Sequence, residues 1–105
     1  MSDLKRINCQ QASELCAIES SQIIDVRDAG SYQSSRIKDA LHIDNASLGA
    51  FIDNADPEAA LVIYCYHGNS SQQAGYYFIE QGFTEVYSVD GGFEQWKLEH
   101  PQDLV

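Results

Sequence analysis

Short apolar runs alternate with helix-like patterns along the chain, and this alternation restricts the fold more than any other feature of the sequence. The clearest run is ALVIYC at 60–65, which is rich in β-branched and aromatic residues and has no polar face. A strand of this kind is typical of a parallel sheet covered on both faces. Strands that alternate with helices at this spacing form βαβ units. The sequence therefore predicts an α/β fold with about five mainly parallel strands and helices on both faces.

The remaining elements follow from periodicity and from residues that begin or end helices. Further strands are predicted at 6–8, 22–26, 40–43 and 85–89, and helices at 9–18, 29–35, 45–54, 70–81 and 93–100. Asn45 is the expected N-cap of the third helix. Ala74, Tyr77 and Phe78 are expected to face inward from the fourth. With 105 residues and no linker-like stretch, the chain is predicted to be one domain spanning 1–105.

Sixteen acidic residues against six basic ones give the chain a net charge of −10. Phosphate recognition relies on Lys and Arg, so this balance disfavours nucleic acid and anionic membrane surfaces as partners. No apolar stretch reaches the roughly 18 residues of a membrane span, and residues 1–10 lack the apolar core of a secretory signal. We therefore expect a cytoplasmic protein that binds neither nucleic acid nor membranes.

The chain has three cysteines, Cys9, Cys16 and Cys65. An odd number cannot pair completely, and none stands in a C-x-x-C or zinc-type spacing. We therefore expect reduced thiols in a reducing compartment, with no metal, no cofactor and no disulfide framework. Cys9 and Cys16 fall in a predicted helix and are expected to be inert buried thiols.

Cys65 differs from the other two because it ends the most apolar strand and opens the polar loop CYHGNSS, residues 65–71. Sites in open parallel sheets form beyond the carboxyl ends of the strands. Gly68 allows backbone conformations that are closed to other residues, and the Asn-Ser-Ser sequence after it suits a helix N-terminus. The unpaired amides of that terminus are expected to converge with those of the loop on the sulfur.

Such an environment would favour the anionic form of the cysteine. An unperturbed thiol, with a pKa of about 8.5, is only about 3% thiolate at pH 7. Cysteines at helix N-termini are documented well below that pKa. The same amides would hold a negatively charged sulfur carried on the cysteine, although the net charge is acidic. Cys65 is therefore predicted to be the catalytic nucleophile.

Two alternatives remain for a nucleophilic cysteine in this position. Cysteine phosphatases have the pattern C-x5-R, whose arginine binds phosphate through two parallel hydrogen bonds. Ser71 occupies the arginine position, and the loop contains neither Arg nor Lys. A small phosphatase or arsenate reductase is therefore disfavoured. The other alternative is a carrier or regulatory module that accepts a persulfide without turning over thiosulfate.

Three stretches of the chain resemble the single-domain rhodaneses, and closely the bacterial thiosulfate sulfurtransferases of the GlpE type. They are IIDVRDAGSYQSSRIKDALHI at 23–43, CYHGNSS at 65–71 and VYSVDGGFEQW at 86–96. The resemblance implies a small rhodanese-like domain in which Cys65 takes the outer sulfur of thiosulfate as a persulfide. Cyanide or a thiol acceptor, such as a small dithiol or a thioredoxin-like protein, would then remove that sulfur. It also implies that the rest of the loop binds the substrate, namely Tyr66, His67, Gly68, Asn69, Ser70 and Ser71.

The chain departs from the usual pattern of these proteins at two places. The common His-Ile-x-Gly-Ala segment is replaced by RIKDA at 36–40, with Arg36 for the histidine and Asp39 for the glycine. Asp tolerates a left-handed backbone better than most residues, so the turn is expected to survive. Tyr66 stands where many members have a basic residue, which predicts a modest affinity for thiosulfate.

Several other side chains have structural interpretations. Asp25 and Arg27 point the same way along a strand and are expected to form a partly buried ion pair or a loop anchor. Phe93 and Trp96 are expected to pack in the core. His67 has two open interpretations, a hydrogen bond to the substrate or a polar side chain on the loop.

Overall fold

A computed structural model describes residues 3–18 and 20–105, and Glu19 and the first two residues of the 1–10 segment lie outside these ranges. The helices and strands follow one another in the order β1 (Lys5–Ile7), α1 (Cys9–Cys16), β2 (Gln22–Asp25), α2 (Ala29–Ser34), β3 (Leu41–His42), α3 (Leu48–Asn54), β4 (Leu61–Tyr64), α4 (Ser70–Glu80), β5 (Val86–Val89) and α5 (Gly92–Glu99), with a short 3₁₀ turn at Pro101–Asp103. The five strands form one sheet in the order β1-β5-β4-β2-β3, and every pairing is parallel. The predicted α/β fold is confirmed.

The central strand β4 shows why helices cover both faces of the sheet. Val62 and Tyr64 face one side, in the cluster that α1 and α5 complete, while Leu61 and Ile63 face the other, in the cluster that α3 and α4 complete. All four side chains are inaccessible to solvent. The strand is therefore apolar throughout because successive residues enter two different cores.

The carboxyl ends of the parallel strands meet at one edge of the sheet. The segments that follow β2, β4 and β5 begin there, at Val26, Cys65 and Asp90 respectively. Because β4 lies between β2 and β5, the segment after β4 has a neighbour on each side. Sequence segments that lie more than 20 positions apart therefore surround Cys65.

Some predicted boundaries and orientations are wrong. Helix α3 begins at Leu48, and Asn45 is not its N-cap, because the Asp44 carboxylate accepts the amide hydrogen bonds of Ala46 and Ser47 (2.9 and 3.0 Å) and forms a turn there. The third strand is only two residues long. Tyr77 is 40% exposed rather than inward, because α4 packs through a stripe at positions 71, 75 and 78 and Tyr77 lies beside that stripe.

The turn at the altered RIKDA segment survives, as predicted. Asp39 adopts a left-handed conformation with φ of 69°, which Asp tolerates better than most residues. Among residues 3–18 and 20–105, no helix is both long and apolar enough to cross a lipid bilayer. Within the same ranges, no three His, Cys, Asp or Glu side chains are grouped as metal ligands.

Candidate active site

The sulfur of Cys65 lies at the centre of a ring of hydrogen-bond donors. Its Sγ is 3.1 Å from the amide nitrogen of Gly68, and 3.4 Å from both the amide nitrogen and the hydroxyl of Ser71. The side chain is 5% exposed and opens onto a cleft. Gly68 has φ of 95°, a conformation that L side chains rarely adopt, and this backbone brings the loop back towards the sulfur. The convergence of loop and helix amides on the sulfur is therefore present in the structure.

Helix α5 holds the carbonyl groups of the loop away from the sulfur. The amide of Phe93 donates to the carbonyl of Cys65 (2.7 Å), and the amide of Glu94 donates to the carbonyl of Tyr66 (3.1 Å). In a trans peptide the N–H points opposite to the C=O, so fixing the Tyr66 carbonyl directs the His67 amide to the sulfur side. The unpaired first amides of α5 thus orient the loop that follows β4.

Gly92 makes this approach of α5 possible. A Cβ atom at this position would lie 2.4 Å from the carbonyl oxygen of Cys65 and 2.6 Å from the carbonyl carbon and oxygen of Tyr66. Its φ of +57° is also left-handed. The backbone that α5 approaches at Gly92 is therefore that of Cys65, the candidate nucleophile, and of Tyr66.

A pair of buried hydroxyl groups lies beneath the sulfur. Ser71 Oγ is 2.7 Å from Ser88 Oγ on β5, and neither side chain reaches solvent. An ionised sulfur can only accept, so Ser71 then donates to Cys65 and its oxygen accepts from Ser88. Sequence reasoning missed Ser88. The available signal was a single small polar residue within the otherwise apolar strand VYSV.

The surroundings of the three thiols separate their pKa values. Burial raises the pKa of Cys65, but hydrogen bonds from the Ser71 hydroxyl and from the amides of Ser71, Gly68 and His67 outweigh it, so the pKa lies below the ordinary value. Burial raises the pKa of both Cys9 and Cys16 to about 11. Of the three thiols, only Cys65 is therefore shifted towards the thiolate.

Alkylation by iodoacetamide near pH 7 is expected to modify Cys65 much faster than Cys9 or Cys16, because the thiolate is the reacting form. The Cys65 rate should fall as the pH drops through its lowered pKa, since protonation removes the nucleophile. Ser71→Ala is expected to slow this reaction about tenfold near neutral pH, because a hydrogen bond to a charged group contributes about 1.5 kcal/mol or more. Mass-spectrometric peptide mapping across a pH series measures all three rates. Equal rates at the three cysteines would contradict the assignment.

Asp25 and Arg27 form a buried ion pair beside the site, as predicted. Arg27 donates from Nη2 and Nε to the Asp25 carboxylate (2.7, 3.0 and 3.1 Å) and from Nη2 to the carbonyl of Ser35 (2.6 Å). Its guanidinium carbon lies 4.0 Å from the centre of the Phe93 ring. The pair joins the end of β2 to α5 and to the residue after α2, and the Arg27 charge is matched by that of Asp25.

The cleft over the sulfur has a volume of about 270 Å³. Four of the predicted substrate-binding residues line it, namely Tyr66, His67, Asn69 and Ser70. Gly68 and Ser71 instead contact the sulfur directly. The Tyr66 hydroxyl donates to Ser31 (2.9 Å), and the exposed His67 ring lies beside the Tyr66 ring. The substrate roles of these residues stay predictions.

Two larger clefts lie along the outer strand β3, with volumes of about 500 and 390 Å³. The first contains Cys16, whose raised pKa keeps it protonated, and the second contains no cysteine. The volume of a cleft therefore does not identify the active site. The smaller cleft at the carboxyl edge of the sheet, which holds a thiol of lowered pKa, is the candidate active site.

Together these features define an α/β protein with an activated cysteine held by backbone amides at the end of a central parallel strand. A family described as Rhodanese-like domain matches residues 8–99. The whole chain is 49% identical to the thiosulfate sulfurtransferase GlpE of Pseudomonas savastanoi pv. phaseolicola, covering 98% of that protein. It is 51% identical over 104 residues to the protein of the same name from Pseudomonas paraeruginosa, covering 98% of this chain and 94% of that one.

Solved structures agree with this relationship at the level of the fold. A rhodanese-related protein from Thermoplasma volcanium superposes with a TM-score of 0.75 at 24% identity, covering 91% of this chain and 93% of that one. The chain belongs to the rhodanese-like domain family.

Proposed function

We propose that this chain is a thiosulfate sulfurtransferase in which Cys65 carries the transferred sulfur as a persulfide. The observation that carries the proposal is the ring of donors around Cys65 Sγ, formed by the Gly68 and Ser71 amides and the Ser71 hydroxyl. These groups stabilise anionic sulfur without a cationic side chain. The near 50% identity to thiosulfate sulfurtransferases over the full chain supports the same activity.

In the first half-reaction the Cys65 thiolate attacks the outer sulfur of thiosulfate. A bond forms between Cys65 Sγ and that sulfur, and the sulfur–sulfur bond within thiosulfate breaks. Sulfite leaves as a dianion with the electron pair of that bond, and the outer sulfur of the persulfide keeps the negative charge that it had in thiosulfate. The amides of Asn69 and Ser70 have no protein partner among the described residues, and both residues line the cleft. We propose that these two amides bind this outer sulfur.

In the second half-reaction an acceptor takes the outer sulfur and regenerates the thiolate. Cyanide would leave as thiocyanate, and a thiolate acceptor, on a small dithiol or a thioredoxin-like protein, would leave as its own persulfide. Both exchanges conserve charge because the Cys65 sulfur departs with the electron pair. The covalent intermediate predicts ping-pong kinetics. We also propose a cytoplasmic location, because the reaction needs a reduced Cys65 and all three cysteines are unpaired.

The surroundings of the loop argue against phosphate transfer. Ser71 stands where the phosphatase pattern requires arginine, and its amide and hydroxyl are directed at the sulfur. The neighbouring Arg27 is already bound to Asp25. A phosphate dianion would therefore lack the bidentate cationic clamp on which that chemistry depends.

Sulfur loading tests the proposal directly. Incubation of the reduced protein with thiosulfate is expected to add about 32 mass units, one sulfur atom, to the peptide that contains Cys65. Addition of cyanide should remove that mass and release thiocyanate in stoichiometric amount. Loading from a persulfide donor but not from thiosulfate would instead establish the carrier alternative. Hydrolysis of an aryl phosphate without sulfur loading would establish the phosphatase alternative.

A further inference from the structure

The side chain of Gln72 donates a hydrogen bond to the active-site loop. Its Nε2 donates to the carbonyl oxygen of Gly68 over 2.7 Å, from the first turn of α4. The Gln72 side chain is half-buried. Within residues 3–18 and 20–105, this carbonyl accepts no other hydrogen bond. Gln72 is therefore the group that restrains the peptide unit between Gly68 and Asn69.

The orientation of this peptide unit decides what faces the cleft. The peptide is trans, so its N–H, which belongs to Asn69, points opposite to the Gly68 carbonyl. Asn69 lines the cleft beside Cys65, and its amide has no partner in the described part of the chain. Gly68 has no side chain that could itself fix the orientation of this peptide. A rotated peptide would present a carbonyl oxygen, rather than an N–H, to an anionic substrate.

We propose that Gln72 is a positioning residue that holds the Gly68–Asn69 peptide so that the Asn69 amide donates to the outer sulfur of thiosulfate and of the persulfide. The inference rests on the proposed sulfurtransferase function. The backbone amides of the loop then form two sets of donors. The amides of Gly68 and Ser71 contact Sγ itself, and the Asn69 amide acts only when an outer sulfur is present.

Gln72→Met removes the donor and keeps the length of the side chain. We expect this variant to raise the KM for thiosulfate about tenfold, because a hydrogen bond to a charged sulfur is lost. The pH profile of Cys65 alkylation should stay unchanged, since rotation of the Gly68–Asn69 peptide leaves the Gly68 and Ser71 amides in place. Gln73→Met is the matched control, because Gln73 is the next residue of α4 and is exposed. Its KM should equal that of the unmodified protein.

Gln72→Lys tests the donor itself, because its ammonium group also donates to the Gly68 carbonyl. The assay is run at about 1 M salt, which screens the added charge. The KM of Gln72→Lys for thiosulfate should then lie within about twofold of the KM of the unmodified protein. An unchanged KM in Gln72→Met, with normal sulfur loading of the unmodified protein, would overturn the inference and leave the proposed function intact. A shifted alkylation profile in Gln72→Met would also overturn it, because it would indicate general disruption of the loop. Failure of the unmodified protein to accept sulfur from thiosulfate would overturn both.

Discussion

Replacing Cys65 with serine is expected to abolish both sulfur loading and thiocyanate formation, with a rate loss of at least about 10³-fold. The serine hydroxyl stays protonated near neutral pH, and its oxygen cannot form the sulfur–sulfur bond of a persulfide. The donors around position 65 remain, so thiosulfate can still bind. Binding alone is not expected to sustain turnover, because the nucleophile is missing. Intact-protein mass spectrometry after thiosulfate treatment measures the adduct, and a colorimetric thiocyanate assay measures turnover.

The other two cysteines provide matched controls for that experiment. Cys9 is fully buried against α5, and Cys16 lies at the end of α1 and is half-buried. Burial raises the pKa of each to about 11, so both remain protonated thiols. Cys9→Ser and Cys16→Ser should therefore keep the 32-unit adduct, about one sulfur atom, and normal turnover. Turnover that survives in Cys65→Ser but is lost in either control would move the nucleophile to another thiol.

Gly92→Ala is expected to lower kcat/KM for thiosulfate about 100-fold, although no side chain of the site is changed. The new Cβ would lie 2.4 Å from the Cys65 carbonyl oxygen. Relief of this contact requires a shift of about 1 Å between α5 and the loop, and a misplacement of that size costs about 100-fold in rate. The left-handed backbone adds about 1–3 kcal/mol of destabilisation for a residue other than glycine.

The Gly92→Ala result needs a control for helix glycines in general. Gly49 lies within α3, and a Cβ there would meet no atom within 4 Å. Gly49→Ala should therefore leave kcat/KM unchanged and raise the thermal midpoint slightly, since alanine is the better helix former. Thermal unfolding followed by circular dichroism should show that Gly92→Ala still folds at the assay temperature. Normal kcat/KM in a folded Gly92→Ala protein would mean that α5 does not orient the loop.

Several parts of the structure followed from local sequence patterns. The apolar run at 60–65 predicted a strand covered on both faces, and it is the central strand β4. The change from apolar to polar residues at Cys65 predicted the strand–loop–helix connection that holds the thiol. These predictions succeeded because each depends on periodicity, on a helix start or on glycine conformation within about ten residues.

Other predictions failed where a neighbouring group competed with the local pattern. Asn45 has the residue type of an N-cap, but Asp44 accepts the amide hydrogen bonds that form the turn before α3. Tyr77 was expected to face inward together with Ala74 and Phe78. Small residues instead centre the contact stripe of α4, because Gly75 lets the helix lie close to its neighbours, where a Cβ would be 2.4 Å from Leu4 Cδ1 and 3.4 Å from Val86 Cγ1. The face that α4 turns inward therefore depends on how closely the helix packs against its neighbours. The sequence of the helix alone does not specify that distance.

The sequence by itself determined the parallel α/β fold and the identity of the candidate nucleophile, because strand periodicity and a single cysteine before a glycine-containing loop are local properties. Only the tertiary structure decided which groups from distant segments support that sulfur and its loop. Ser88 and Gly92 lie more than 20 positions beyond Cys65, and the parallel pairing of β4 with β5 brings them to it. Their contribution depends on ångström-scale distances between separate segments, and those distances exist only once the sheet and its helices have packed together.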